Sequence, residues 1–363
     1  MDAVDALMRK AIERSVFPGA VLLVAREGVI KFIDAYGYAN IFTREAVTTD
    51  TVFDLASLTK PLATTPALMV LKQQHKLTLD QPIGSILQWL QGTDKEAITI
   101  KALLNHSGGL PAYSPFYTQL NRLPFEERKT ALQKALAELP LAHSIGESVL
   151  YSDLGFMLLD FLVQKISKKR LDRFTAEEIY KPLGISDRSE PRLCFVDLHK
   201  PIRFANVAAT EICQWRRRLM EGVVHDDNAY TMGGIAGHAG LFGDVSGVFV
   251  MAQTLLQAHA SSDSAELFQT HLVRRFFSRE TSGARVLGFD VPAEHNSSCG
   301  RYFSINSVGH LGFTGTSLWM DLDKAVIIIL LTNRIHPSRS NERIKAFRPE
   351  LHDGVMRVMF RCD

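Results

Sequence analysis

The stretch FDLASLTKPLATTPALM runs from Phe53 to Met69, and it decides how the rest of the chain is to be assembled. Ser57 is followed three residues on by Lys60, where an apolar run begins. Residues three apart on a helix share a face, so Lys60 projects beside Ser57. Pro61 suits a first helical turn and not an interior, which sets the helix start close to Ser57. A start there puts free backbone N–H groups around the serine. Pro66 predicts a kink or break in the same helix. Taken alone, S-x-x-K also describes an N-capping serine followed by a surface lysine. The remainder of the sequence separates the two readings.

Outward from this segment, the two ends of the chain read as sheet. Residues 2–15 form a helix. GAVLLVAREGVIKFIDAYGYAN (19–40) holds two β-branched apolar runs around REG, a hairpin signal. Residues 300–333 give three strands with a turn at Asp321–Lys324. AVIIILL (325–331) is a buried strand, far too short to cross a bilayer. A last helix covers about 341–360. The middle is mostly helical, at 61–75, 99–105, 125–138, 154–168, 171–180, 245–258 and 263–278. Asp153 and Asp244 serve as helix-start signals. The pattern predicts an α+β fold: one antiparallel sheet built from both ends, flanked by helices, with a large helical insertion. The expected division is a sheet lobe of 1–50 plus 285–363 and a helical lobe of 51–284, with a ligand cleft between them. No repeat or low-complexity linker interrupts it.

Bulk composition narrows the partners. Lys and Arg number 41 against 39 Asp and Glu, so no strong field is available to recruit nucleic acid or an acidic membrane. The 46% hydrophobic content supports a buried core. The basic clusters Lys168–Arg170 and Arg216–Arg218 read as solvated helix faces, and Trp215 beside the second is read the same way. Cys194, Cys213, Cys299 and Cys362 are scattered without zinc spacing and read as free thiols in a reducing compartment. The amphipathic start lacks a secretory pattern. The expectation is a soluble cytoplasmic protein that binds neither nucleic acid nor membrane, with its oligomeric state open.

Three further stretches bear on Ser57: ESVLYSDLGF with Tyr151, Ser152 and Asp153; VGHLGFTGTSLW with His310, Gly312 and Gly315; and the glycine-rich VHDDNAYTMGGIAGHAGLFGD (224–244). With these the chain resembles the serine β-lactamases of class C, the penicillin-binding peptidases and their esterase and amidase relatives. S-x-x-K, S-D-N and K-T-G mark related enzymes, and the class C branch carries Y-x-N in the second place. Here the elements stand as Ser57-Leu58-Thr59-Lys60, Tyr151-Ser152-Asp153 and His310-Leu311-Gly312, in the family's order. ALLNHSGGLP (102–111), NAYTMGGIAGHAGLF (228–242) and GFTGTSLWMD (312–321) look like its esterase-like and muramyl-peptide-amidase-like members. Asp153 stands where the family has Asn, His310 where it has Lys, and Leu311 where it has Thr. In β-lactamases that Lys and Thr help hold the substrate carboxylate, so these departures speak against efficient penicillin hydrolysis without touching the nucleophile.

The resemblance implies an acyl-transfer serine hydrolase that needs no cofactor or metal. Its substrate is a small ester, amide or muramyl peptide. Ser57 is then the nucleophile. Lys60 and Tyr151 form a coupled base, since a serine hydroxyl needs a neighbour to take its proton. Burial and a nearby cation would lower the Lys60 pKa. The backbone N–H groups of Ser57 and Phe313 stabilise the oxyanion. Gly312 lets a strand edge approach the substrate, and Asp153 and His310 lie at the substrate. If His310 holds a substrate carboxylate as imidazolium, activity on acidic substrates falls above about pH 6.5. Alternatively Asp153 caps the following helix, and Tyr151 and His310 are satisfied packing residues. A metal site of His225, Asp226, Asp227 and His238 lacks zinc-protease spacing. GGIAGHAG is no dinucleotide loop, and no G-x-S-x-G is present. The competing function is a non-catalytic peptide- or glycan-binding module on the same scaffold.

Overall fold

The computed structural model describes residues 1–186, 192–262, 267–279 and 285–360. Helix α1 (Asp2–Glu13) leads into β1 (Gly19–Arg26) and β2 (Val29–Asn40), followed by the short strands β3 (Glu45–Ala46) and β4 (Phe53–Asp54). The next helices are α2 (Thr65–Gln73), α3 (Ile100–Leu104), α4 (Tyr117–Leu120), α5 (Phe125–Glu138), α6 (Asp153–Ser167) and α7 (Leu171–Thr175). Then come β5 (Leu193–Phe195), β6 (Ile212–Cys213), β7 (Arg218–Leu219), α8 (Asp227–Thr231), β8 (Leu241–Gly243), α9 (Val245–Ala260) and α10 (Thr270–Phe277). The chain closes with β9 (Val308–Leu311), β10 (Ser317–Asp321), β11 (Val326–Thr332) and α11 (Ile344–Phe360).

The main sheet is antiparallel, in the order β3-β2-β1-β11-β10-β9. Its centre joins the two ends of the chain, with Ala20 opposite Thr332 and Arg26 opposite Val326. Alternate side chains of a strand point to opposite faces, and here both faces are covered. Leu22, Val24, Ile328 and Leu330 pack with Val4 and Met8 of α1 and Leu351 and Val355 of α11. Val21, Leu23, Ile327 and Ile329 pack with Val248 and Leu255 of α9. A strand buried on both faces reads as a continuous apolar run, which is why GAVLLVA and AVIIILL do not alternate.

Asp244 caps α9 by accepting from Gly247 N–H at 2.7 Å, as its place in the sequence suggests. Other expectations change. A second small sheet, β4-β8-β5, lies within the stretch expected to be mostly helical. Residues 212–219 form the β6–β7 hairpin, so Arg216 and Arg217 lie in its turn, Arg218 opens β7, and none is on a helix face. Arg216 is buried there, ion-paired with Asp227 and set over the rings of Trp215 and Tyr230 at 4.6 and 4.2 Å. Of the helix expected at 263–278, α10 begins only at Thr270; residues 267–269 are not helical, and 263–266 lie outside the described residues. Cys194, Cys213 and Cys299 are free, whereas Cys362 lies outside the described residues. Among the described residues, no helix is long and apolar enough to cross a membrane.

Candidate active site

Ser57 is presented by a turn clamped from three directions. Asp54, at the end of β4, accepts from Ala56 N–H at 2.9 Å and from His225 N–H at 2.7 Å. The carbonyls of Asp54 and Leu55 accept from the hydroxyls of Thr314 and Thr316, which ties the turn to the approach to β10. Ala56 takes a left-handed φ of 48°, and Ala56–Leu58 form a single 3₁₀ turn. Lys60–Thr64 then make one π turn, with Thr65 N–H donating to Lys60 O, before α2 begins. Pro66 accounts for the irregularity, because it offers no N–H to the Leu62 carbonyl four residues back. That carbonyl instead accepts from the buried Tyr180 hydroxyl at 3.0 Å. The break foreseen at Pro66 is therefore a widened turn with its free acceptor satisfied.

Lys60 is fully buried, and its three N–H groups are all used. Nζ donates to Ser57 Oγ at 3.1 Å, to Asp153 Oδ1 at 2.7 Å and to the His238 carbonyl at 3.0 Å. The Tyr151 ring lies 5.0 Å from Nζ and the Phe156 ring 5.5 Å. Ser57, Lys60, Tyr151 and Asp153 thus meet at one point, although Lys60 and Asp153 are 93 residues apart. Burial acts to lower the Lys60 pKa, but the charges of Asp153 and Tyr151 and their hydrogen bonds outweigh it, and the net direction is upward. The sequence-based expectation of a lowered lysine is corrected by this carboxylate. The Tyr151 phenol is pushed up chiefly by burial, with Lys60 opposing. The resting pair is an ammonium beside a neutral phenol.

The Tyr151 segment is held by the loop after α3. Ser152 N–H donates to His106 Nδ1 at 3.0 Å, its hydroxyl donates to Pro111 O, and Asp153 N–H donates to Ala112 O. The His106 ring lies against Tyr151, with centroids 4.7 Å apart. His106 is a contributor that residue-by-residue reading missed, although ALLNHSGGLP contains it. Asp153 does not cap α6: the N-cap is Ser152, with no side-chain cap bond, and the Asp153 carboxylate is spent on Lys60.

His310, on β9, is buried, and its ring centroid lies 5.9 Å from that of Tyr151. Its Nδ1 is 2.9 Å from the Leu311 carbonyl. Burial first, then the charge of Lys60, holds its pKa well below the ordinary histidine value. This opposes the imidazolium role expected from sequence. Gly312 sits where a Cβ would come within 2.0 Å of Thr316 Oγ1 and 2.8 Å of Leu55 O, so only glycine lets this edge press against the serine turn. Phe313 is 48% exposed. Its ring stacks on His225 at 5.6 Å and carries the Arg334 guanidinium at 4.8 Å. Arg285 lies 5.2 Å from the Tyr151 ring centroid and is ion-paired with Asp290.

The glycine-rich loop contributes backbone and scaffolding. His225 Nε2 lies 2.9 Å from Glu211, and His238 Nε2 lies 2.9 Å from Asp226. Trp215 Nε1–H donates to Asp227 at 2.9 Å, and its ring stacks on Tyr117. Among the described residues no group of three or more His, Cys, Asp or Glu is placed to hold a metal ion. Chemically, the arrangement offers a hydroxyl in contact with a buried amine, a phenol beside it, and a strand edge across from it.

Comparison with known proteins adds the context for this geometry. The sequence profile described as "Beta-lactamase" matches residues 4–351. An N-acetylmuramyl-L-alanine amidase of Bacillus subtilis (strain 168) is 33% identical over 365 residues, covering 92% of this chain and 80% of that protein. A protein of Escherichia coli O157:H7, provisionally named a D-alanyl-D-alanine carboxypeptidase, is 31% identical over 350 residues, covering 88% and 79%. Among solved structures, EstCE1, titled a hydrolase with promiscuous acyltransferase activity, superposes with a TM-score of 0.74 at 21% identity, covering 96% of this chain and 98% of that one.

Proposed function

The chain belongs to the β-lactamase family of serine hydrolases, and from that premise we propose that it cleaves an uncharged ester or amide through an acyl intermediate on Ser57. The observation that carries this reading is the 3.1 Å contact between Lys60 Nζ and Ser57 Oγ, with Tyr151 alongside. In the first step Ser57 Oγ attacks the carbonyl carbon, and its proton passes to the Lys60–Tyr151 pair once that pair has released one. The oxyanion is met by the N–H groups of Ser57 and Phe313. The pair returns the proton to the leaving group, and an acyl-Ser57 ester remains. Water then attacks that ester, the same pair takes its proton and passes it to the departing Ser57 Oγ, and the acid is released.

The preference for uncharged substrates follows from the cations. Lys60 is committed to Asp153, His310 is held neutral by burial, Leu311 brings no hydroxyl, and Arg285 is paired with Asp290. None of these is left to bind a substrate carboxylate. Muramyl peptides carry carboxylates and so form a second reading, kept because an amidase of that kind is among the relatives. The lobes of 1–50 plus 285–363 and of 51–284, with the cleft between them, are part of the same proposal. So is a cytoplasmic location, which the free Cys194, Cys213 and Cys299 support.

A fluorophosphonate probe followed by intact mass tests the nucleophile: the wild type gains one adduct and Ser57→Ala gains none. Absence of labelling in the wild type overturns the proposal and leaves the binding-module reading. p-Nitrophenyl acetate is expected to turn over at least tenfold faster, by kcat/KM, than p-nitrophenyl hemisuccinate. Nitrocefin is expected to show little or no turnover. Faster cleavage of the acidic ester would refute the charge argument.

A further inference from the structure

His238 works at both ends. Its carbonyl accepts from Lys60 Nζ at 3.0 Å. Its ring, only 2% exposed, lies with Nε2 2.9 Å from Asp226 and lines a cavity of about 280 Å³. Nδ1 is buried and has no hydrogen-bond partner among the described residues. In the tautomer that donates Nε2–H to Asp226, Nδ1 carries no proton and is an acceptor.

The cavity lies among α5, α6 and the glycine-rich loop before β8, outside the Ser57 constellation. Its walls include Phe125, Leu132, Met157, Phe161, Met232 and Ile235. One buried acid, Asp160, faces these apolar groups, and its Oδ1 accepts from Gln164 Nε2 at 2.9 Å. The exposed Lys129 donates to Gln164 Oε1 at 2.8 Å and so stands one residue removed from the acid. His238 and Asp172 also act on Asp160 electrostatically. Arg170 and Asp197, at the same cavity, are paired with each other at 2.7 Å, and Glu126 adds a further carboxylate. Burial pushes the Asp160 carboxyl up to about 6, against Gln164 and Lys129. Above that pH it is a buried carboxylate with no cation in contact among the described residues, an expensive arrangement unless a partner arrives.

Protein interiors are close-packed, and an apolar cavity of about 150 Å³ already takes up benzene. Two buried acceptors, Asp160 and His238 Nδ1, beside an apolar wall call for a ligand with N–H donors on a compact apolar body. We propose that this cavity is a second binding site, for a small organic ammonium of the arylalkylamine type held by Asp160 and His238, and that its occupant acts on Ser57 through the His238 carbonyl and Lys60. The connection is stiff. Gly237 is clamped so closely that a Cβ there would lie 2.2 Å from Phe156 O and 2.9 Å from Asp160 Cβ, and its carbonyl accepts from Thr64 at 2.6 Å. A shift of the His238 ring is therefore passed to Lys60 and not absorbed by the loop. The binding half of the proposal is independent of the hydrolase reading, whereas the rate half rests on it.

Benzylamine is the probe, titrated calorimetrically into Ser57→Ala at pH 7.5, with benzyl alcohol as the uncharged control. Saturable benzylamine binding is expected, at least tenfold tighter than the alcohol. It should weaken at least tenfold at pH 5, where Asp160 takes up its proton, and equally in Ser57→Ala/Asp160→Asn. Ile235→Phe, which narrows the cavity without touching a charge, gives the same loss should Asp160→Asn not fold. No saturable binding, or binding indifferent to both variants, overturns the site. With wild-type protein, saturating benzylamine is expected to change kcat on p-nitrophenyl acetate at least twofold, an effect lost in Asp160→Asn. Binding without any change in rate overturns the coupling. A protein with no ester turnover at all still decides the binding half by calorimetry.

Discussion

At the scale of single residues, the balance at Lys60 governs the chemistry. An amine buried without a partner would shed its proton. Here Asp153, 2.7 Å away, together with Tyr151, more than offsets burial and holds the ammonium. The Lys60–Tyr151 pair must lose a proton before it can accept one from Ser57, so kcat/KM on a neutral ester is expected to rise toward alkaline pH. Replacing the carboxylate in Asp153→Asn leaves burial opposed only by Tyr151, which makes the proton easier to lose. The alkaline rise should then move to lower pH by at least one unit. A pH–rate profile for the variant that is unchanged, or displaced upward, would show that Asp153 does not set this charge. That Ser57, Lys60 and Tyr151 come together was readable because their motifs are local and ordered. The charge of Lys60 was not, because its determinant lies 93 residues away and is visible only once the chain is folded.

At the scale of elements, the irregular start of α2 is the informative feature. Pro61 and Pro66 announce a disturbed helix in the sequence, but they do not say which kind. The form it takes depends on Tyr180, whose hydroxyl satisfies the Leu62 carbonyl from the distant turn after α7. Tyr180→Phe leaves that buried acceptor unpaired and is expected to cost about 1–3 kcal/mol of stability. Urea unfolding measures this, and a midpoint equal to wild type would mean that the carbonyl finds another donor. The β6–β7 hairpin was misread for a related reason. Three consecutive arginines look like a solvated surface, yet Arg216 is drawn inside by Asp227 and two aromatic rings that no local pattern reveals. By contrast, the β1–β2 hairpin and the strands β9 to β11 were legible, because apolar runs broken by Gly, Asn and Asp carry their own punctuation.

At the scale of the whole molecule, the helix-and-sheet sandwich buries titratable groups that tie its stability to pH. His352 of α11 is fully buried, its Nδ1 lies 2.9 Å from Ser298 O, and burial pushes its pKa down to about 4. The unfolded chain takes a proton there below about pH 6.5, the folded chain only below about 4. Stability is therefore lost as pH falls through that window, by up to about 3 kcal/mol for this one residue. His106 and His310 are lowered in the same direction. Asp160, pushed up to about 6, contributes with the opposite sign, since the folded chain takes up its proton first. The histidines outnumber it, and the melting temperature is expected to fall between pH 7 and pH 5. His352→Gln should show a shallower fall. An equally steep one would mean that this histidine does not drive the acid sensitivity.

The pairing of β1 with β11 has a bearing on how the protein is made. The two strands are neighbours in space and about 300 residues apart in synthesis. At roughly 5–20 residues per second, a ribosome needs on the order of 15–60 s to travel from one to the other. For all of that time the nascent strand Gly19–Arg26 has β2 at one edge and an open, greasy edge at the other. A translational stall before Val326 thus yields a chain with its central β-strand exposed, a natural client for chaperones and a seed for aggregates.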